Sequence, residues 1–257
     1  MKIVERKVSI FKLKQVFFSD RPYDIDDCDV VMFSYCRNRV DVPGFHRQEA
    51  YTSVIDLTKN LDEIWKNMDK SSCRYSIRKA ERDGVEIVVN KHYDDFYKIY
   101  RSFRQKKGLE SGLIGLLGMG SLKLEEIKKY GLLFVAKHED DVLGGHLYLH
   151  DDSSIIFWQA ATKRLDVGKD KAKLIGNASK LIHWEAIKYA KEMGIEEFDM
   201  GGLFPEEDAK KDISKYNINF FKLSFGGKII KVYHYKKIYS KLYKFGSNLY
   251  NIIKCLR

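Results

Sequence analysis

The sequence predicts an α/β fold in which helices flank a mixed, largely antiparallel sheet. Three strand-like segments follow one another between residues 132 and 161, and the short acidic turns that join them are typical of antiparallel hairpins. A long helix with one apolar face, predicted over 172–193, leads to a strand, a further helix and a closing strand. This order is expected of a layered α/β fold.

The segments before this meander also alternate between strand and helix. Asn60 can cap a helix because Glu63 follows three residues later, and apolar residues then recur at helical spacing. The remaining predictions are strands at 30–35, 51–57, 85–89, 195–200 and 228–235, helices at 71–84, 92–108, 121–130 and 213–224, a charged connector at 205–212, and a mobile glycine-rich loop beside the site at 109–120.

The composition excludes several classes of protein. A chain of 257 residues with 44% hydrophobic residues can form a packed core, so it is not disordered. No apolar run has the roughly 18 residues that a membrane span needs, and charges interrupt the amino terminus where a signal peptide has its apolar core. We therefore expect a cytoplasmic protein.

The cysteines and histidines give no metal-binding pattern. Neither a CxxC pair nor an HExxH motif occurs, so the spacing predicts no metal site and no disulfide framework. Reduced, structural thiols are expected at the four cysteines, which are Cys28, Cys36, Cys73 and Cys255.

Positive charge is concentrated at the carboxyl terminus. Lys228–Arg257 holds seven Lys, one Arg and no acid, which supplies +8 of the formal net charge of +10. Apolar residues recur there at spacings of three and four, namely Ile238, Leu242, Phe245, Leu249, Ile252 and Leu256. This pattern is typical of a helix on an anionic membrane surface, but packing on the protein's own domain or on a dimer partner explains it equally well.

Three motifs together resemble the Fem-type aminoacyltransferases, a group with the acetyltransferase-like (GNAT) fold. They are RYSIRKAERDGVEIVV, the IIFWQAATK hairpin with the helix and strand that end in FDMGG, and NFFKLSFGGK. The resemblance covers roughly residues 60–235. It implies a partial amino-terminal GNAT-like subdomain at 1–90, a GNAT-like acyltransferase domain at 91–235, and a basic amphipathic tail helix at 236–257.

The resemblance also implies where the reaction takes place. In the family the sheet splays in its middle, and donor and acceptor meet beside the strand that is written here as FDMGG. Asp199, Gly201 and Gly202 would then line this junction, Asp199 as a second catalytic residue beside Lys222 and the glycines as substrate contacts. A structural turn explains the glycines almost as well, and a turn cap explains the carboxylate equally well. Phe221 and Lys222 would face the reacting end of the donor, with Lys222 stabilising an oxyanion; a surface lysine is the alternative.

Additional side chains are candidates for substrate binding. His146, Tyr148 and His150 share one strand face by the period of two, and we expect Gln159 on the next strand to meet them. Trp158 is expected to form a pocket wall for a sugar or an acyl chain. A half-exposed sheet face and a core aromatic explain these five residues as well.

The segment after the hairpin bears on the donor. Enzymes of this fold that use acetyl-coenzyme A usually carry R/Q-x-x-G-x-G/A, whereas RLDVGKDKAKLIGN has Arg164 and Gly168 without the second close glycine. This departure favours an aminoacyl-tRNA or a carrier-bound donor. Lys169, Lys171 and Lys173, with Arg164, are expected to contact donor phosphates of either kind.

The sequence therefore predicts an enzyme that transfers an aminoacyl or acyl group to an amine of a cell-envelope precursor, peptidoglycan-like or another lipid-linked or nucleotide-linked glycan. Arg78 and Lys79, in the basic IRKAE stretch, are further candidates for substrate binding, although such a helix face is usually only solvated. No permanently bound cofactor is expected, because the donor, aminoacyl-tRNA or acyl-CoA, is a co-substrate. The alternatives are an acyl-CoA-dependent N-acyltransferase acting on an amino sugar or polysaccharide precursor, and a non-catalytic tRNA- or membrane-binding module.

Overall fold

The computed structural model of the protein describes residues 1–8, 10–107 and 121–246. The glycine-rich segment predicted as a loop at 109–120 lies outside the described residues. The strands within the described ranges are β1 (Lys2–Val8), β2 (Phe11–Phe17), β3 (Val30–Cys36), β4 (His46–Asp56), β5 (Val85–Val89), β6 (Leu132–His138), β7 (Asp141–His150), β8 (Ser154–Thr162), β9 (Glu197–Leu203) and β10 (Lys228–Ile238). The helices are α1 (Leu61–Asn67), α2 (Tyr75–Arg82), α3 (Tyr93–Lys106), α4 (Leu124–Tyr130), α5 (Lys169–Glu192), α6 (Glu206–Lys211) and α7 (Ile213–Leu223).

The chain forms two compact units that alternate along the sequence. Unit 1 comprises Met1–Ala50, Arg104–Lys123 and Lys231–Arg257, and unit 2 comprises Tyr51–Phe103 and Leu124–Ile230. This division differs from the boundaries at residues 90 and 235 that the resemblance implies, because α1, α2 and β5 belong to the same unit as the later meander.

Unit 1 contains a sheet with the strand order β1-β2-β3-β10. β1 and β2 form an antiparallel hairpin, β2 runs parallel to β3, and β10 is antiparallel to β3. Its core is built from buried residues that include Val16, Phe33 and Tyr235. β1 and β2 were not predicted from the sequence; charged residues interrupt the apolar ones in both, and no clear period of two marks β1.

The tail predicted as one helix at 236–257 begins as a strand. Ile238 is the last residue of β10 and packs with Tyr243 in a small core cluster, so it does not belong to a membrane-facing helix. Residues 241–246 are helical. Tyr243 is buried there and meets the ring of Phe11 edge-on at a centroid distance of 5.1 Å. The last three apolar positions of the predicted tail helix, Leu249, Ile252 and Leu256, lie beyond the described part of the chain.

Unit 2 contains the strand order β4-β9-β8-β7-β6-β5. β5 to β8 are antiparallel neighbours, which confirms the predicted meander, and β9 is antiparallel to β4. β8 and β9 are parallel, and α5 connects them as parallel strands require. The core lies between this sheet and the helices α1, α2 and α5, with Ile182, Ile187 and Phe198 fully or almost fully buried.

Most predicted elements of unit 2 are confirmed. The Asn60 side chain accepts a hydrogen bond from the Glu63 amide at 2.9 Å, as a helix cap should. Two differences from prediction concern the stretch from β9 to α7. The connector at 205–212 contains α6, whose acidic first turn and lysines in its last turn complement the helix dipole. β9 continues to Leu203, so the glycines of FDMGG lie inside a strand.

Candidate functional site

The sheet of unit 2 opens between its two parallel strands. β8 and β9 are paired from Ser154–Glu197 to Ile156–Asp199. Both strands continue beyond this last pair, to Thr162 and Leu203, but no further pairing between them is found in the residues described. Backbone groups at the edges of the opening therefore take other partners, among them the Asp199 carboxylate on the Gly201 amide and the Lys222 ammonium on Gly202 O.

Each of the two strands is irregular at the opening. The register of β8 with β7 skips Trp158, and the register of β9 with β4 is irregular between Asp199 and Gly202. Gly201 lies in the second irregularity with φ +75°, a conformation that favours glycine. Such bulges bend a strand and redirect its side chains, and they are common next to active sites.

Asp199 is buried at this bulge. Its Oδ1 accepts a hydrogen bond from the Gly201 amide at 2.8 Å and another from the Thr52 hydroxyl. Only 6% of the residue is exposed. The carboxylate thus holds its own strand's bulge, which is the turn-capping role that the sequence left open.

Lys222 reaches the same bulge from the last turn of α7. Its Nζ donates to Gly202 O at 2.7 Å and lies 5.8 Å from the centre of the Phe157 ring. A Cβ added at Gly201 would lie 3.0 Å from Phe157 O, a tight contact, and 3.5 Å from this nitrogen, an ordinary one, so the bulge packs closely against β8 beside the ammonium. Lys222 is therefore not a solvated surface lysine.

The environment of Lys222 changes its acidity. Burial lowers the pKa of Lys222 to about 8, and the negative charge of Asp199 acts in the opposite direction. An ammonium can donate three hydrogen bonds, and among the described residues Lys222 makes one. Its remaining N–H groups are available to a ligand oxygen at the opening.

Aromatic rings form the surroundings of Lys222. Phe221 packs against His183 and Phe225, with centroid distances of 5.5 and 5.7 Å. Phe157 lies 4.8 Å from His183 in the same cluster. This low-polarity environment strengthens any electrostatic interaction that the ammonium makes.

His183 is the residue of this cluster that the sequence analysis missed. Its imidazole is fully buried, and its Nδ1 is hydrogen-bonded to the Tyr148 hydroxyl at 2.8 Å. The ring of His146 lies 4.5 Å away, centroid to centroid. A signal was present, because His183 lies at helical spacing with the buried Ile187 and Ala190 of α5.

Both histidines are neutral near pH 7. Burial lowers the pKa of His146 to about 3. Burial also lowers the pKa of His183 well below its ordinary value, and the positive charge of Lys222 acts in the same direction. Within the described residues, His146 Nδ1 and His183 Nε2 have no hydrogen-bond partner. They are buried polar groups of the site's interior.

The other predicted members of the strand face do not gather at this cluster. Gln159 pairs with Leu147, so its side chain points to the opposite face of the sheet from Tyr148; the expectation that it meets the histidines is wrong. His150 lies at the end of β7, and its Nδ1 is 3.4 Å from the neighbouring Asp151 O. Trp158 is half-buried at the bulge of β8.

Arg78 and Lys79 lie on α2. The guanidinium of Arg78, an exposed residue, lies over the ring of Trp65 at 5.4 Å. Lys79 forms an ion pair with Asp83, one helical turn away, at 2.6 Å. Their role in substrate binding stays a prediction.

The residues predicted to contact donor phosphates surround the start of α5. Arg164 lies in a short 3-10 turn and is exposed, as are Lys169 and Lys173. Gly168 caps the helix without a side-chain hydrogen bond. The first amides of α5, with the positive end of the helix dipole, suit a phosphate group.

Two of these lysines already have a carboxylate partner, and the first is Lys173, which lies 3.9 Å from Asp170. Lys171 pairs with Asp141 at 2.7 Å, and Lys163 pairs with the same carboxylate at 2.5 Å. Because two ammonium groups share one carboxylate, a net positive charge remains beside the helix start.

The described ranges contain neither a candidate metal site nor a candidate membrane-spanning helix. No cluster of three or more His, Cys, Asp or Glu side chains there could hold a metal ion. Cys28, Cys36 and Cys73 are free and buried. None of the helices in these ranges combines the length and apolar character that a membrane span requires.

The fold is similar to that of several solved structures. A C-terminal domain from Agrobacterium fabrum that carries the name lysylphosphatidylglycerol synthetase has a TM-score of 0.59 at 13% identity, over 96% of this chain and 84% of that chain. L-PGS from Bacillus licheniformis has a TM-score of 0.55 at 13% identity, over 95% and 83%. FemX has a TM-score of 0.58 at 14% identity, over 98% and 86%.

Comparison at the level of sequence gives the family. Among curated proteins, none matches the chain. Residues 69–211, more than half of the chain, match the family described as acetyltransferase (GNAT) domain. The match includes β8, α5 and β9 with the opening between the strands, and Lys222 follows it on α7. The matched family is one of enzymes, so the match does not support the alternative of a non-catalytic tRNA- or membrane-binding module. The chain therefore belongs to the acetyltransferase (GNAT) domain family and is an acyltransferase.

Proposed function

We propose that the chain transfers an aminoacyl or acyl group to an amine of a cell-envelope precursor, which is a peptidoglycan-like or other lipid-linked glycan. The observation that carries this proposal is the half-buried ammonium of Lys222 on Gly202 O at the opening between β8 and β9. A fixed positive charge at this position suits the carbonyl oxygen of a donor bound between the strands.

The reaction joins the amine nitrogen to the carbonyl carbon of an ester or thioester. Negative charge develops on the carbonyl oxygen as the nitrogen attacks, and Lys222 donates a hydrogen bond to that oxygen. The carbon–oxygen or carbon–sulfur bond then breaks, and the leaving hydroxyl or thiol takes up the proton that the amine loses. Holding the two reactants together in the opening supplies much of the rate.

Two observations bear on the identity of the donor, and they favour different classes of donor. The relatives named FemX and lysylphosphatidylglycerol synthetase, the latter naming a lysyl group, support an aminoacyl donor on tRNA. The match to the acetyltransferase (GNAT) domain favours the second candidate, an acyl-CoA-dependent N-acyltransferase that acts on an amino sugar or polysaccharide precursor. Both donors carry phosphates, for which we propose Arg164, Lys169, Lys171 and Lys173.

A location at the inner face of the membrane is part of the proposal. In the helical residues 241–246, Leu242 and Phe245 are 60% and 70% exposed, as on an interfacial helix. The charge of the basic tail is smaller than the sequence suggests, because Lys231 pairs with Glu49 and Lys237 pairs with an aspartate. The exposed apolar residues therefore support a membrane address more than the lysines do.

The test is a transfer assay with both donors. The purified protein is incubated with radiolabelled aminoacyl-tRNA or radiolabelled acetyl-CoA and with amine-bearing precursors, and label in the acceptor is counted. We expect transfer from aminoacyl-tRNA and stabilisation by charged tRNA in thermal unfolding. Transfer from acetyl-CoA alone would establish the second candidate, and the absence of transfer from both donors to every acceptor would refute the proposal.

A further inference from the structure

Thr52 and Asp199 form a buried polar pair on the neighbouring strands β4 and β9. Thr52 is fully buried and Asp199 nearly so. The Thr52 hydroxyl and the Gly201 amide both donate to Asp199 Oδ1. Hydrogen bonds of this kind stabilise a carboxylate in its charged form, so Asp199 carries a fixed negative charge inside the sheet.

The backbone that Asp199 holds is the backbone that Lys222 contacts. Gly201 has φ +75°, and its amide is bound by the carboxylate. The next residue, Gly202, supplies the carbonyl oxygen that accepts from Lys222 Nζ at 2.7 Å. The position of this oxygen depends on the bulge conformation, so a change at Asp199 is transmitted to the ammonium through two residues.

We propose that Asp199 and Thr52 are positioning residues for Lys222: Asp199 fixes the Gly201–Gly202 bulge, and Thr52 fixes Asp199. The engaged carboxylate is therefore not the reacting acid or base that its place at the strand opening suggested. Its charge also favours the ammonium form of Lys222 and opposes the effect of burial. The kinetic part of this inference rests on the proposed acyl transfer, whereas the effect on Lys222 itself does not.

The first readout is the pKa of Lys222, measured by NMR on protein labelled with carbon-13 at lysine Cε. Lys222→Arg identifies the signal by removing it. We expect Asp199→Asn to lower the pKa of Lys222, because the amide carries no charge, and Thr52→Val to lower it less. Thr58→Val is the matched control, since Thr58 donates to Asp56 at 2.6 Å in an exposed turn, and it should leave the pKa of Lys222 unchanged.

The second readout is transfer kinetics. Displacing a fixed charge by a fraction of an ångström or more lowers kcat by about 10- to 100-fold, and we expect such a loss in Asp199→Asn and Thr52→Val with little change in KM. Thr52→Ser, which keeps the hydroxyl, should retain most of kcat.

The possible outcomes distinguish a failure of the positioning role from a failure of the proposed function. A folded Asp199→Asn variant with the wild-type pKa of Lys222 and the wild-type kcat overturns the positioning role. If Asp199→Asn does not fold, Thr52→Val against Thr52→Ser decides by the same two measurements. If the wild-type protein consumes neither donor, the proposed function fails, and the pKa comparison still establishes or refutes the coupling of Asp199 to Lys222.

Discussion

Acidification should destabilise unit 2 through its two buried histidines. The folded pKa of His146 is about 3, and that of His183 is also far below its ordinary value. An unfolded histidine titrates near about 6.5, so below that pH the unfolded chain binds more protons than the folded one. Stability from each histidine is present above this pH and is lost as the pH falls below it. At about pH 5 the loss is about 2 kcal/mol for His146, and the lowered pKa of His183 acts in the same direction.

The chain offers a convenient assay for this prediction. Its three tryptophans, Trp65, Trp158 and Trp184, all belong to unit 2, so tryptophan fluorescence reports the unfolding of that unit. Urea unfolding is followed between about pH 7.5 and about pH 5 for the wild type and for His146→Phe.

The variant should remove the titration of one histidine. We expect its free energy of unfolding to fall by about 2 kcal/mol less than that of the wild type over this range. His46→Gln, a change at an exposed histidine, serves as the control. If His146→Phe and the wild type lose stability equally between pH 6.5 and 5, the assignment of His146 as a buried neutral group is wrong.

Three further predictions concern the lysine, the bulge and a helix cap. The pKa of Lys222 is about 8 and the ammonium is the active form, so kcat should decline above about pH 8. Lys222→Arg should shift this decline to higher pH. Identical pH–rate profiles for the two proteins would contradict the role of the ammonium. Gly201→Ala should lower the free energy of unfolding by about 1–2 kcal/mol, since its φ is +75°, whereas Gly176→Ala, inside α5 with only the Arg164 guanidinium near its Cβ at 3.9 Å, should not lower it. Asn60→Ala should cost about 1 kcal/mol in urea unfolding and leave kcat unchanged, and a loss of kcat would show that α1 acts on the site.

Local patterns in the sequence predicted most of unit 2. The meander, the cap at Asn60 and helix α5 follow from periodicity and from short-range hydrogen bonding, which act within a few residues. Lys222 could be singled out because a lysine in an apolar helix needs a polar partner, and Gly202 O is that partner.

The parts that were missed depend on strand register and on tertiary packing. The bulges at Trp158 and Gly201 exist only in relation to neighbouring strands, so no local pattern indicates them. The same register turns Gln159 away from Tyr148. The place of His183 in the site depends on how α5 packs its ring against Phe157 and Phe221, which the helical period alone does not give.

The single-turnover rate of a Lys222 variant is the most direct test of acyl transfer at the opening of the sheet. The rate of label transfer from the bound donor is measured for Lys222→Ala, with Lys215→Ala as the matched control on the same helix, where Lys215 pairs with Asp208 at 3.1 Å. Loss of one oxyanion donor predicts a rate about 100- to 1,000-fold lower for Lys222→Ala and little change for Lys215→Ala. A Lys222→Ala rate equal to that of Lys215→Ala and the wild type would contradict the account.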